Sequence, residues 1–194
     1  MTDIAIVDYG MGNLHSVATR LKQAAPGLEV TVTSDPACVA RAARVVFPGQ
    51  GAMPDCMREL DAHGLREAVL KAAHSKPFLG ICIGLQMLFG ASEEGDVACL
   101  GVLAGRVRRF SSSMVDAAGT RVKVPHMGWN RVRQVAAHPL WRGVPDHTRF
   151  YFVHSYYVDE CAPEVITGST EYPHPFTCAI ARDNVFAVQF HPEK

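Results

Sequence analysis

The chain has 194 residues, 48% hydrophobic and 20% charged, an ordinary globular mix that excludes a disordered or low-complexity reading. Its 19 basic and 19 acidic side chains cancel, so no global field draws it toward nucleic acid or an anionic membrane. The longest uncharged stretch, 77–92, is shorter than the about 20 apolar residues of a spanning helix and is interrupted by glycines.

In chain order, Ile4 to Val7 reads as a buried strand, and Leu14, Val17, Ala18 and Leu21 follow at helical spacing. Leu28 to Val32 alternates as a second strand. Val45 to Phe47 is a third, ended by Pro48 and Gly49. Helical patches cover Met53 to Leu60 and Leu65 to Ala73. Pro77 to Ile81 reads as a buried strand, and Leu85 to Phe89 opens a helix. From Val102 strand-like runs dominate: 102–110, 121–124, 131–135, 150–157, 165–168, 177–181 and 185–190, with a hairpin-like loop over 111–119. The pattern predicts one α/β domain over 1–194. Its central sheet is mostly parallel and flanked by helices, with antiparallel strands added in the C-terminal half. No basic n-region opens the chain, and six cysteines form no C-x-x-C pair, so a cytoplasmic protein with free core thiols is expected.

One of those cysteines has a special setting. Gly80-Ile81-Cys82-Ile83-Gly84 falls between a predicted strand and a predicted helix, the context of a nucleophile elbow. Small residues on either side let the chain turn sharply and hold the thiol exposed. The following helix would aim its positive end at the sulfur and favour thiolate. The Ile83 N–H would sit where an oxyanion develops. A thiol nucleophile needs a base, and Gln189-Phe190-His191-Pro192-Glu193 follows a strong strand pattern. If the chain stays extended, His191 and Glu193 point to one side, so that the carboxylate orients the imidazole. Pro48-Gly49-Gln50-Gly51-Ala52, again after a strand, could present N–H groups to an oxyanion. Each motif also has a plainer reading: a packed core cysteine, a polar strand end, a strand-to-helix turn.

Together GICIGLQ around Cys82 and QFHPE ending at Glu193 resemble the class I, or triad, glutamine amidotransferases, with PGQGA as their oxyanion loop. DYGMGNLHSV, PHMGWN (125–130) and YFVHSYY (151–157) resemble the glutaminase subunits of imidazole glycerol phosphate synthases within that class. The resemblance implies a Cys82, His191, Glu193 triad, backbone oxyanion donors around Gly49, Gln50 and Ile83, and glutamine held by Gly51, Gln86, Ser155 and Tyr156. It implies a partner, the cyclase subunit of that synthase, a (β/α)8 barrel that receives ammonia in histidine biosynthesis. Asn13, Met127, Trp129, Asn130, Tyr151 and Lys194 would face it. It further implies a glutaminase that is nearly silent alone, with the Gly49–Gln50 peptide turned the wrong way until the partner is in place. Two departures stand out. Members usually continue past position 194 into a final helix, and a small apolar residue is usual where Gln50 stands.

No cofactor or metal is expected. Gly10-Met11-Gly12 lacks the third glycine of a dinucleotide fingerprint, because His15 stands there, and no two histidines form an i, i+4 ligand pair. Another triad amidotransferase subunit, for example of anthranilate or aminodeoxychorismate synthase, and a non-catalytic scaffold for a barrel partner remain as alternatives.

Overall fold

A computed structural model describes residues 2–194. Its first half alternates strand and helix: β1 (Ile4–Val7), α1 (Leu14–Ala24), β2 (Val30–Thr33), α2 (Pro36–Arg41), β3 (Arg44–Gly49), α3 (Met53–Ala62), α4 (Arg66–Ser75), β4 (Phe78–Cys82) and the short α5 (Ile83–Gln86). Then come β5 (Ala91–Ser92), β6 (Val97–Ala98), β7 (Arg106–Arg109), β8 (His126–Arg131), β9 (Arg133–Gln134), β10 (Arg149–His154), β11 (Tyr156–Asp159), β12 (Ile166–Glu171), β13 (Pro175–Arg182) and β14 (Val185–Val188).

Twelve strands form one sheet in the order β2-β1-β3-β4-β14-β13-β11-β7-β5-β6, with β12 beside β13 and β9 beside β12. From β2 to β14 the pairing is parallel. Beyond β14 it is mostly antiparallel. β8 and β10 pair separately as a two-stranded antiparallel ribbon. Parallel strands covered on both faces read as continuous apolar runs, and β1 and β14 are buried at every position. The buried apolar side chains form one contiguous cluster. No helix among the described residues is long and apolar enough to cross a membrane.

Several elements differ from the sequence expectation. The run 150–157 is two strands: β10 belongs to the ribbon and β11 to the main sheet, with the switch at Ser155. Residues 121–124 form no strand; Arg121 makes only an isolated bridge to Val115, in a mostly exposed loop with little apolar surface to bury. Residues 102–105 turn before β7 begins. α2 was not foreseen, although Asp35 and Pro36 announce it. Asp35 Oδ1 accepts the Ala37 N–H at 2.9 Å, and Pro36 occupies the first turn. The helix expected over 85–89 is a single turn that starts at Ile83, after which Leu88 and Phe89 bond back three residues instead of four. Every position from Ile81 to Phe89 is buried, so packing on all sides sets its shape.

Candidate active site

β3, β4 and β14 are adjacent and parallel, so their carboxyl ends lie together at one edge of the sheet. In open α/β sheets this edge is where ligands bind. β3 ends at Pro48-Gly49 and leads into Gln50-Gly51, β4 ends in Cys82, and β14 runs into Gln189–Glu193. Three segments far apart in sequence are thus delivered to one place by ladder hydrogen bonds.

Cys82 adopts φ 56° and ψ −113°, a conformation strained for any L side chain, as an elbow requires. The neighbouring glycines explain how the turn fits. A Cβ at Gly84 would lie 1.9 Å from the Phe47 carbonyl oxygen, and one at Gly80 would meet the Ala187 Cβ at 2.9 Å. The expected helix dipole behind the thiol is much reduced, since α5 has only four residues. Burial pushes the thiols of Cys56 and Cys99 up to about 11 and that of Cys178 higher still, so these three stay neutral core groups.

His191 and Glu193 pair as expected, but through a different backbone. His191 Nδ1 donates to Glu193 Oε1 at 2.8 Å. The chain turns at Pro192 instead of staying extended, and the Lys194 N–H bonds back to the His191 carbonyl at 3.4 Å. Proline's fixed φ suits that turn. Arg20 of α1, which the sequence did not suggest, donates its Nε to the Glu193 carbonyl at 3.0 Å and anchors the turn from outside.

Burial alone would lower the pKa of His191, but Cys82 and Glu193 outweigh it and raise it to about 10. His191 Nε2 is buried and makes no hydrogen bond of standard geometry, so the sulfur acts on it by proximity and not through an aligned bond. Glu193 is held below its usual range: burial opposes this, and the bond to His191 overcomes it. Since folding favours the imidazolium, His191 contributes stability that is complete below about pH 6.5 and is lost as pH rises toward 10. The His191 ring protons should therefore titrate near pH 10 by NMR, and substantially lower in Glu193→Gln. Titration near 6.5 in the unsubstituted protein would contradict this pairing.

Cys82 and His191 line one cavity of about 400 Å³, with Gln50, Gly51, Ile83, Gln86, Glu94, Pro125, and 153–156 around it. Every residue expected to hold glutamine borders this space. Glu94, not foreseen, supplies the carboxylate that lines this cavity; the loop joining β5 to β6 brings it there, and its Oε2 accepts the Met53 N–H at 2.8 Å. The Pro48–Gly51 loop is tied at two carbonyls. The Tyr9 hydroxyl donates to Pro48 O at 3.1 Å and the Cys56 thiol to Gln50 O at 3.5 Å. The peptide joining Gly49 to Gln50 lies between these two anchors.

Of the residues expected to face a partner, several cluster on the outer face of the β8–β10 ribbon. Met127 and Trp129 are 65% and 59% exposed and pair across strands with Val153 and Tyr151. Trp129 meets Tyr151 edge-on at 5.9 Å, and Lys194 Nζ sits 5.9 Å from the same tyrosine ring. Tyr151 reaches His191 directly, because its carbonyl accepts the His191 N–H at 2.9 Å. Asn130 turns its side chain the other way, to His126 and the Glu171 carbonyl. Asn13 caps α1 in the loop beside Gly49, its Oδ1 accepting the Ser16 N–H.

A family model for class-I glutamine amidotransferases matches residues 5–194, and the chain belongs to that family. Within it, the chain groups with the HisH subunits of imidazole glycerol phosphate synthase. The one from Thiobacillus denitrificans is 63% identical over 193 residues, 99% of this chain and 85% of its own length. That from Aromatoleum aromaticum is 64% identical over 195 residues, covering 100% and 92%. Solved structures share the fold at lower identity. PurLQS from Thermotoga maritima has a TM-score of 0.72 at 18% identity, covering 100% of this chain and 89% of that one. The Trypanosoma brucei CTPS glutaminase domain with bound acivicin has a TM-score of 0.68 at 18% identity, covering 100% and 86%.

Proposed function

We propose that the protein is the glutaminase subunit of an imidazole glycerol phosphate synthase, hydrolysing glutamine through a Cys82 thioester and passing ammonia to a cyclase subunit. The observation that carries this reading is the meeting of Cys82 and His191 in one cavity at the carboxyl ends of three parallel strands, with Glu193 hydrogen-bonded to His191 behind it. Cys82 Sγ attacks the carboxamide carbon while donors near Ile83 and the Gly49–Gly51 loop hold the oxyanion. The C–N bond breaks as the His191 imidazolium gives its proton to the leaving ammonia. His191 then takes a proton from water, which attacks the thioester and releases glutamate and the Cys82 sulfur. Glu193 keeps the imidazole oriented throughout. Glu94 is the group in the cavity suited to the substrate's α-ammonium, with Gln86 and the Ser155–Tyr156 backbone positioning the rest.

Ammonia released into water near neutrality is protonated and stops being a nucleophile, so direct transfer to a partner suits this chemistry. The exposed Met127, Trp129 and Val153, with the half-buried Tyr151 beside them one residue from His191, form the surface we assign to the cyclase barrel. The test is a glutaminase assay with and without the cyclase subunit and its nucleotide substrate. Little hydrolysis is expected alone, with a rise of about 10²-fold or more in the loaded complex, the scale of one added oxyanion donor. Equal activity in both arms would overturn the partner assignment. No activity in either would overturn the reaction.

A further inference from the structure

A chain of buried and part-buried hydrogen bonds runs from the ribbon to the Cys82 sulfur. β14 lies parallel to β4 with Val188 opposite Ile81, so the next residue on each strand brings Gln189 beside Cys82. Gln189 is fully buried, and its Nε2 lies 3.7 Å from Cys82 Sγ. Gln86 Nε2 donates to Gln189 Oε1 at 2.8 Å and to the Tyr156 carbonyl at 3.0 Å. His154 Nδ1 donates to that same carbonyl at 2.7 Å. His126 Nδ1 meets His154 Nε2 at 3.0 Å, and Asn130 Nδ2 meets His126 Nε2 at 3.3 Å.

We propose that Gln189 is a side-chain donor that stabilises the Cys82 thiolate alongside the His191 imidazolium, and that His126 and His154 are positioning residues that hold this donor in place through Tyr156 and Gln86. The inference rests on the reading of Cys82 as nucleophile.

The orientation of every group follows from its neighbours. A backbone carbonyl can only accept, so Tyr156 O fixes Gln86 with its NH₂ inward and His154 as the Nδ1–H tautomer. The second N–H of Gln86 then requires the Gln189 oxygen, which leaves the Gln189 NH₂ facing the sulfur. His154 Nε2 is left an acceptor, so His126 donates from Nδ1 and accepts at Nε2 from Asn130. Asn130 is fixed in turn by backbone: its Nδ2 donates to Glu171 O at 2.9 Å and its Oδ1 accepts the Arg131 N–H at 2.8 Å. Burial lowers the pKa of His154 to about 3 and that of His126 to about 4, so both rings stay neutral and the direction of the chain holds at physiological pH. An amide N–H facing a neutral thiol makes a poor bond; facing a thiolate it is charge-assisted. The arrangement therefore favours the reactive form of the sulfur.

The test is the rate of Cys82 alkylation by iodoacetamide in the full chain, resolved from the other cysteines by peptide mass spectrometry and followed against pH. Gln189→Met should react about tenfold more slowly at neutral pH, with the deficit closing toward pH 10, where free thiols ionise unaided. His154→Leu should show the same pattern, and His154→Asn, which keeps a donor at the Nδ1 position, should recover most of the rate. A deficit constant across pH indicates lost access or altered structure and overturns the proposal, as does an unchanged rate in Gln189→Met. Should the variants fail to fold, the Gln189 side-chain amide in the unsubstituted protein decides. Its NMR signal should move downfield as Cys82 ionises, and a signal indifferent to pH and to Cys82 alkylation overturns the proposal. None of these readouts requires glutamine turnover, so they succeed or fail separately from the glutaminase assay.

Discussion

Cys82→Ala should lower glutamine hydrolysis by about 10⁴-fold or more, even with the cyclase subunit and its nucleotide present, while leaving the fold intact. The sulfur is the atom that forms the thioester, and neither His191 nor Glu193 can take its place as nucleophile. Alanine keeps the strained φ of 56°, so the thermal midpoint should change little. Cys82→Gly relieves a strain of about 1–3 kcal/mol and should be the more stable of the two, equally inactive. Steady-state assay of glutamate release, alongside thermal melting, separates the two effects. Substantial glutaminase activity in Cys82→Ala would remove the sulfur from the mechanism.

Gly84→Ala is expected to have the largest effect on stability. Its new Cβ would sit 1.9 Å from the Phe47 carbonyl oxygen, a backbone atom of β3 that no rotamer change can move aside. α5 would have to separate from β3, opening the core where Phe47, Leu85 and Met87 are fully buried. A cost at or above the about 3 kcal/mol upper range for overpacking follows. For a chain of this size that lowers the thermal midpoint by roughly 10 °C or prevents soluble expression. Gly27→Ala is the control: nothing lies within 4 Å of its Cβ position, and it should melt with the parent. Equal melting of both variants would mean that the elbow tolerates a separation the packing does not suggest.

The parts of this architecture legible in the sequence are those governed by local pattern. β1, β3, β4 and β14 are apolar runs closed by small or polar residues, and their burial on both faces leaves little ambiguity. The Cys82 elbow and the His191–Glu193 bond were legible because an elbow needs small residues at fixed offsets and because His191 and Glu193 are near neighbours in the chain. What local pattern cannot carry is which segments meet. Glu94 is an unremarkable acidic residue until two-residue strands fold its loop over α3. Gln189 lies within a motif the sequence displayed, yet its place beside Cys82 follows only from the parallel register of β14 on β4. The split at Ser155 was hidden for a similar reason, since 150–157 has unbroken strand character and only the separate pairing of β8 with β10 divides it. The turn at Pro192 gives the expected contact by an unexpected route, because a hydrogen bond between residues two apart forms in either backbone.

The position of β14 bears on how the protein is made. It follows every other described strand in the chain, yet it sits in the middle of the sheet between β4 and β13. While the nascent chain is still leaving the ribosome, those two neighbours present open edges and cannot complete their pairing. Gln189, His191 and Glu193 emerge after the strand that fills the gap. An unfinished polypeptide carrying Cys82 therefore lacks the His191–Glu193 pair, so the cavity around the sulfur is completed only after synthesis has passed Glu193.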